Sequence, residues 1–171
     1  MKGNVILYTG DGGGKTAAAL GLALRTCGHG KKAVIVQFMK GRKYIGEYKI
    51  KDRLAPQYEI RQFGREGFVD LKNPSKADRE LAKKGLAFAK EAAAKKPATL
   101  VLDEINLASA IGLVEIKEVL GLMDSIPVET ITVLTGRNAP TELLEYADYV
   151  VEIKDLKRPA KELPPREGFE F

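Results

Sequence analysis

The sequence predicts an α/β protein, with a mostly parallel sheet of about six strands flanked by helices. Short runs of β-branched and other apolar residues alternate with longer helical patterns along the 171 residues. Several short runs, such as AVIVQF, TLVLD and ITVLT, are almost continuously apolar, which is typical of strands covered on both faces. The length is that of one ordinary domain with a single core.

Six segments have the composition and length of strands: Asn4–Thr9, Ala33–Phe38, Tyr58–Gln62, Thr99–Asp103, Thr130–Thr135 and Tyr149–Ile153. Helical patterns fill most of the intervals: Lys15–Thr26, Ser75–Ala94, Val114–Met123 and Pro140–Tyr146. Gly28 is placed to end the first helix in a left-handed cap, and Ser75 is placed to cap the start of the second. We expect one domain over residues 1–153, followed by a proline-rich extension, residues 154–171, packed on or near it.

The composition argues against several classes of protein. No stretch approaches the roughly 20 apolar residues that span a bilayer, and the first residues lack the hydrophobic region of a signal peptide. The single cysteine, Cys27, excludes an internal disulfide, which suits a reducing compartment. Together these features predict a cytoplasmic protein with no membrane partner. The net charge of +5 is scattered rather than gathered in one basic stripe, which does not favour a nucleic-acid partner.

The first candidate site is TGDGGGKT, residues 9–16, which follows an apolar run and opens a helical pattern. A strand, a glycine loop and a Lys-Thr pair at a helix start favour phosphate binding, because inward N–H groups and the helix dipole both attract anions. Lys15 would neutralise phosphate oxygens, and the Thr16 hydroxyl would ligate Mg²⁺. A glycine-rich turn without a ligand is the alternative. The residues expected to contact the nucleotide are Thr9, Gly10, Asp11, Gly12, Gly13, Gly14, Lys15, Thr16 and Ala17.

The second candidate site is LVLDEIN, residues 100–106, an apolar strand that ends in two acids. A carboxylate at this place in a phosphate-loop protein usually holds Mg²⁺ directly or through water. Asp103 and Glu104 are adjacent, and adjacent side chains on a strand point in opposite directions. One of them is therefore expected to face the metal while the other braces a neighbouring element. An acidic strand end in a polar loop is the alternative.

Three further segments follow the ends of strands, where ligands bind in open α/β sheets. Arg137, in LTGRNAP, could reach the nucleotide from the side or could be an ordinary surface residue. Lys40, in VQFMKG, is a candidate for lining the same cleft. The segment FGREGFVD, residues 63–70, could supply an aromatic wall for a flat ligand or could anchor a loop. The long stretch from residue 40 to residue 73 departs from simple alternation and could cover a site.

In this order, YTGDGGGKTAAALGLALRTCGHG, VIVQFMKG, FGREGF, LVLDEIN and VLTGRNAPTELLEYADYVVEI resemble the ATP-dependent corrinoid adenosyltransferases of the phosphate-loop type. The resemblance runs over about residues 4–153. It implies a RecA-like phosphate-loop fold, a homodimer and an electron-donating reductase as partner. It also implies transfer of the 5′-deoxyadenosyl group of ATP to Co(I) of a corrinoid, either cob(I)alamin or cob(I)yrinic acid a,c-diamide. Triphosphate would be released, in cobalamin biosynthesis or salvage.

The resemblance assigns roles residue by residue. Lys15, Thr16 and Glu104 would be catalytic, with Thr16 and Glu104 also holding Mg²⁺. Arg137 and Asn138 would lie near an ATP that is bound in the reversed direction compared with ordinary NTPases. Phe68 would face the corrin ring. A tryptophan is frequent two residues after that phenylalanine in the family, and this chain has Asp70 there.

Two rival functions remain open at the level of sequence. A phosphate-loop ATPase, possibly associated with nucleic acid, is compatible with the adjacent acids at residues 103 and 104 and with the basic pI near 9.2. A nucleotide or corrinoid binder without catalysis is compatible with Gly13, Ala17 and Asp70, which depart from the usual family pattern.

Overall fold

The computed structural model describes residues 3–160 and 164–168, which form a six-stranded parallel sheet with helices on both faces. The strands lie in the order β3-β2-β4-β5-β1-β6, and every neighbouring pair is parallel. All six predicted strands are confirmed, with ends that shift by one residue at most. Their bounds are β1 Val5–Thr9, β2 Ala33–Phe38, β3 Tyr58–Phe63, β4 Thr99–Asp103, β5 Ile131–Thr135 and β6 Tyr149–Glu152.

The four predicted helices are also present, and shorter ones accompany them. The helices are α1 Lys15–Gly28, α2 Gly46–Lys49, α3 Lys76–Ala94, α4 Ile105–Ala110, α5 Ile116–Ser125 and α6 Thr141–Tyr146, with a 3₁₀ turn at Ile50–Asp52. The short helices α2 and α4 were not predicted, since the four residues of α2 are too few to show a helical period and α4 follows β4 without a side-chain N-cap to mark its start.

The core consists of two layers, one on each face of the sheet. Alternate residues along β2 and β4 supply both layers, since successive side chains on a strand point to opposite faces. Val36 and Leu102 pack with α3 and α5 on one face, whereas Ile35 and Val101 pack with the alanines of α1 on the other. This double burial explains why the central strands are apolar almost without interruption.

The predicted end of α1 was wrong in one detail. Gly28 is the last helical residue, and the left-handed residue is Gly30, with φ 68°. The Gly30 N–H donates to the Cys27 carbonyl at 2.8 Å and the Lys31 N–H donates to the Thr26 carbonyl at 3.2 Å, a Schellman pattern. Gly28 and Gly30 flank His29, and only Gly30 has the left-handed conformation.

The predicted start of α3 is confirmed in full. The Ser75 hydroxyl accepts the Asp78 N–H at 3.2 Å, and the Asp78 carboxylate accepts the Ser75 N–H at 3.0 Å, forming a reciprocal capping box. Asp78 also receives a two-pronged hydrogen bond from Arg65, at 2.8 and 2.9 Å. The loop before α3 is thereby tied to the helix.

The carboxyl ends of the strands lie along one edge of the sheet, and three of the four non-glycine residues of the described chain with positive φ occur there. Met39 (φ 57°) directly follows β2, Glu104 (φ 64°) directly follows β4, and Asn138 (φ 52°) lies in the loop after β5. Backbone strain of this kind tends to collect at functional sites. After β6, residues 153–160 and 164–168 form no helix or strand, and the rest of the predicted extension lies outside the described residues.

Candidate active site

The glycine loop after β1 is held by close backbone packing on one side and is open on the other. The Gly12 N–H donates to the Ile153 carbonyl at 2.9 Å, and a Cβ on Gly12 would lie 2.7 Å from that oxygen. Gly10 and Gly14 have φ of 96° and 101°, which side chains rarely adopt. A Cβ on Gly13 or Gly14 would meet nothing within 4 Å. A ligand therefore has room to approach this part of the loop, where the Gly13 N–H is bonded to the Asp155 carboxylate at 3.1 Å.

Lys15 is the cation of the loop. It is 7% exposed, and its Nζ donates to the carbonyls of Gly10 at 2.7 Å and Gly12 at 2.6 Å. Burial lowers the pKa of the ammonium, and the nearby Arg137 charge lowers it further. Lys15 lies beside the open part of the loop and near a second cation, Arg137. It can therefore exchange its two carbonyl contacts for phosphate oxygens of a ligand.

Asp103, the last residue of β4, is the centre of a buried hydrogen-bond network. Its carboxylate is fully buried and accepts hydrogen bonds from Thr16 (2.8 Å), Thr135 (2.7 Å), Gln37 (3.0 Å) and Lys40 (2.7 Å). Burial raises the pKa of Asp103, but the charge and hydrogen bond of Lys40 and the two hydroxyl donors outweigh it, so the pKa is lowered. The group is therefore an anion, and it ties α1 to β2 and β5.

Lys40 brings a second ammonium to this network. The turn at Met39 carries the chain back so that the Lys40 Nζ lies 2.7 Å from Asp103 and 3.0 Å from the Thr16 hydroxyl. Burial lowers the pKa of Lys40, but the charge and hydrogen bond of Asp103, together with the charges of Glu104 and Glu47, outweigh burial and raise the pKa. From the sequence, Lys40 was only a candidate for lining the cleft, since nothing in the chain next to it indicates a carboxylate 63 residues away.

Glu104 differs from Asp103 in both backbone conformation and surroundings. It follows β4 in a left-handed conformation as the residue before α4, and its N–H donates to the Thr135 hydroxyl at 2.9 Å. Burial raises the pKa of the Glu104 carboxyl, and the negative charge of Asp103 raises it further. A cation added near Glu104 would therefore favour the ionised form of its carboxyl group.

These donors fit a magnesium ion completed by phosphate. The Thr16 hydroxyl and the Asp103 and Glu104 carboxylates supply hard oxygen ligands, and the Lys40 ammonium already places a positive charge against the Thr16 and Asp103 oxygens. Among the described residues there is no cluster of three or more His, Cys, Asp or Glu side chains that could hold a metal alone. Mg²⁺ is suited to such a site, because it commonly uses one or two protein carboxylates together with substrate phosphates and water.

The loop after β5 approaches the nucleotide site from the side. A Cβ on Gly136 would lie 2.8 Å from the Leu107 nitrogen, so this turn packs directly on the start of α4. Asn106, fully buried, donates to the carbonyls of Tyr8 (3.1 Å) and Gly136 (3.2 Å) and joins the ends of β1 and β5. Sequence reasoning missed Asn106, although it stands in the quoted LVLDEIN motif.

Beside the loop lies an open cleft of about 440 Å³, lined by Asp11, Gly12, Arg137, Lys154, Asp155 and Arg158. The structure thus brings Arg137 to the glycine loop, as expected. Asn138 is exposed in the next position. The lining has three cations and the carboxylates of Asp11 and Asp155, a net charge of +1, which favours an anionic ligand. The sequence after β6 did not indicate that Lys154 and Arg158 would line this cleft.

Phe68 lies on a separate, exposed loop. Its side chain is 85% exposed, and the Arg42 guanidinium lies 4.2 Å from the ring centroid. This loop is fixed by backbone packing, since a Cβ on Gly41 would lie 2.7 Å from the carbonyl carbon of Arg65. An exposed aromatic ring on an anchored loop provides a flat apolar surface for a ligand.

Comparison with known proteins decides the family. The sequence model of the family described as ATP:corrinoid adenosyltransferase BtuR/CobO/CobP matches residues 1–171. The chain belongs to this family. It is 35% identical to a corrinoid adenosyltransferase of Sinorhizobium sp, over 99% of this chain and 81% of that protein. It is 31% identical to the corrinoid adenosyltransferase of Escherichia coli K12 and 30% identical to corrinoid adenosyltransferase CobA of Salmonella typhimurium LT2, each over 91% of this chain and 79% of the relative.

A solved structure shares the architecture of this corrinoid adenosyltransferase family member. The flagellar accessory protein FlaH of Methanocaldococcus jannaschii superposes with a TM-score of 0.59 over 94% of this chain and 75% of FlaH, at 12% identity. At that identity the likeness concerns the fold alone, which is RecA-like. The predicted family, fold and transferase class in cobalamin metabolism are confirmed, and the ATPase alternative is not favoured. No helix in residues 3–160 or 164–168 is long and apolar enough to cross a membrane.

Proposed function

We propose that this adenosyltransferase moves the 5′-deoxyadenosyl group of ATP to Co(I) of a corrinoid with release of intact triphosphate, and that the glycine loop binds the triphosphate. One observation carries the proposal. Lys15 lies in the glycine loop, which has open space at Gly13 and Gly14, and Lys40 lies against Thr16 and Asp103 at the start of the following helix. That arrangement stabilises a departing polyanion, which is the chemical demand of this transfer.

The reaction requires no proton transfer by the protein. Co(I) donates an electron pair to C5′ of the ribose, the cobalt–carbon bond forms, and the C5′–O bond breaks with its electron pair on the triphosphate. The protein has to align C5′ with the cobalt and stabilise the new charge. The sole histidine, His29, is exposed at the far end of α1. Its position is consistent with a mechanism that needs no imidazole base.

Each part of the loop has a role in this proposal. Lys15 leaves its carbonyl partners and neutralises phosphate oxygens, while the N–H groups of Gly13 and Gly14 bind others. Thr16 and Glu104 would hold Mg²⁺, and Asp103 orients the Thr16 hydroxyl. Mg²⁺ supplies further positive charge to the triphosphate when it is bound. Arg137 and Asn138 contact the nucleotide from the loop after β5.

Phe68 carries the corrinoid side of the proposal. Its exposed ring, supported by Arg42, offers a face to the corrin macrocycle. Asp70, which stands where the family often has tryptophan, accepts the N–H groups of Lys72 at 3.0 Å and Asn73 at 3.3 Å. This residue therefore forms a turn, and Phe68 is the aromatic group that we assign to the corrin.

Two partners and a location complete the proposal. Co(I) must be generated by one-electron reduction, so an electron-donating reductase is required, and we place both proteins in the reducing cytoplasm. The single, partly buried Cys27 is compatible with that compartment. A homodimer is proposed from the family resemblance stated above.

The products test the proposal. The protein is incubated with ATP, Mg²⁺ and chemically reduced cob(I)alamin, and the corrin spectrum and phosphate products are followed. Adenosylcobalamin and triphosphate in equal amounts are expected. ADP and phosphate without adenosylation would instead support the ATPase, and binding of ATP without any product would support a non-catalytic binder.

A further inference from the structure

The chain segment that follows β6 reaches into the glycine loop with a carboxylate. The Asp155 Oδ1 accepts the Gly13 N–H at 3.1 Å. Gly13 belongs to the open half of the loop, where an added Cβ would meet nothing within 4 Å. Asp155 thus satisfies an N–H group that a phosphate oxygen would use in a phosphate-binding loop.

The same carboxylate holds an arginine beside the loop. The Arg158 Nε donates a hydrogen bond to the Asp155 Oδ2, and the Arg158 Nη2 donates to the Asp11 carbonyl at 3.3 Å. The hydrogen bonds from Arg158 and from the Gly13 N–H lower the pKa of Asp155, so the group is an anion at neutral pH. The Asp155 carboxylate therefore accepts hydrogen bonds from the Gly13 N–H and from the Arg158 guanidinium at the same time. Two oxygens of one phosphate group could accept the same two hydrogen bonds.

The surroundings of this contact are suited to a larger anion. Arg158 and Lys154 line the cleft of about 440 Å³ with Arg137, on the side of the loop that faces the extension. The extension is also fixed at its base, because the Gly12 N–H is bonded to the Ile153 carbonyl and the Ile153 N–H is bonded to the Thr9 carbonyl at 2.8 Å. Rotation of the Asp155 side chain alone would free the Gly13 N–H without moving this base.

We propose that Asp155 occupies the triphosphate position of the glycine loop before nucleotide binds, and that Arg158 is a triphosphate-binding residue which Asp155 keeps in place. The incoming triphosphate displaces the carboxylate, takes over the Gly13 N–H and pairs with Arg158. After transfer, Asp155 competes for the same groups and promotes release of the triphosphate product. The inference rests on the proposed function for the identity of the anion.

Binding of inorganic triphosphate by three variants tests the proposal. Because a single charge-assisted contact changes affinity by about tenfold, Asp155→Ala should tighten triphosphate binding by about fivefold to tenfold in calorimetry. Arg158→Met should weaken it by about tenfold. Glu129→Ala is the matched control, since it removes an equal charge whose partner is Lys96 and which precedes β5, at the opposite end of the strands from the glycine loop. It should change the affinity by less than about twofold.

The opposite outcomes are equally clear. Unchanged or weaker binding by the Asp155 variant would overturn the displacement, and equal tightening by the Glu129 variant would reduce it to a general charge effect. Tighter binding by the Arg158 variant would mean that Arg158 serves only to hold Asp155. The Gly13 amide resonance should shift in the ligand-free Asp155 variant, and an unchanged resonance would contradict the contact.

The proposed function and this inference fail separately. If the wild-type protein makes no adenosylated product but the affinities change as expected, the inference stands and the transfer reaction is wrong. If adenosylcobalamin forms and the Asp155 variant binds triphosphate like the wild type, the inference is wrong and the transfer reaction stands.

Discussion

Replacing Lys40 by methionine should destabilise the protein, because it removes the one ammonium that neutralises a buried carboxylate. The Lys40 Nζ lies 2.7 Å from the Asp103 Oδ2, and the Asp103 side chain is 1% exposed. Methionine keeps most of the aliphatic stem and deletes the charge. Loss of one partner of a buried ion pair typically costs about 3 to 5 kcal/mol. The Lys40 side chain is 26% exposed and three neutral donors remain on Asp103, so we expect about 2 to 3 kcal/mol here.

Urea unfolding at neutral pH measures this loss as a change in midpoint at constant slope. Lys96→Met is the matched control, since Lys96 pairs with Glu129 at 3.0 Å with side chains 63% and 52% exposed. That variant should lose less than about 1 kcal/mol. Mg²⁺ should stabilise the Lys40 variant more than the wild type, because the acids then lack the competing ammonium.

A different result would refute the reasoning about Asp103. If Lys40→Met unfolds within about 0.5 kcal/mol of the wild type, the usual range for surface changes, then the hydroxyl and amide donors alone satisfy the buried carboxylate. If Mg²⁺ stabilises the variant and the wild type equally, Lys40 does not occupy the position of the metal.

Three further predictions concern the loop, the corrinoid face and the α3 cap. Lys15→Ala should lower kcat/KM for ATP by at least about 100-fold, since the departing triphosphate loses its main cation; unchanged turnover would remove Lys15 from the mechanism. Phe68→Ala should raise KM for the corrinoid by up to about tenfold and leave calorimetric ATP affinity unchanged, whereas an equal loss of both would argue against a corrin contact. Hydrogen bonds from Arg65 and Ser75 lower the pKa of Asp78 from 3.8 to about 2. Asp78→Asn should therefore cost about 1 to 2 kcal/mol at neutral pH, discounted because Arg65 is half exposed. The stability that the Asp78 carboxylate contributes is complete above pH 3.8 and is lost as the pH falls towards 2. A difference between wild type and variant that is as large near pH 2 as at neutral pH would contradict this.

The sheet and the long helices could be predicted because their signals are local. A strand such as β4 is apolar at its three central positions, and Ser75 with Asp78 three residues later specifies a helix start. The end of α1 was misplaced because Gly28 and Gly30 both suit a left-handed cap and only the packed chain selects between them.

The glycine loop and the two acids could be found from sequence for the same reason, since each is a compact motif. The contacts that complete the site join distant parts of the chain. Lys40 reaches Asp103 across 63 positions, and Asp155 reaches Gly13 across 142. Neither pairing has a local pattern, because side-chain partners across a parallel sheet are set by the strand order rather than by spacing in the chain.

The fate of the oxygen that joins the ribose to the phosphates tests the central claim most directly. ATP labelled with oxygen-18 at the 5′ bridging position is supplied with Mg²⁺ and cob(I)alamin, and the products are analysed by mass spectrometry. Attack on C5′ predicts that the label appears entirely in the triphosphate and that adenosylcobalamin carries none. Label retained in a nucleoside or nucleotide product would show attack at phosphorus and would contradict the account.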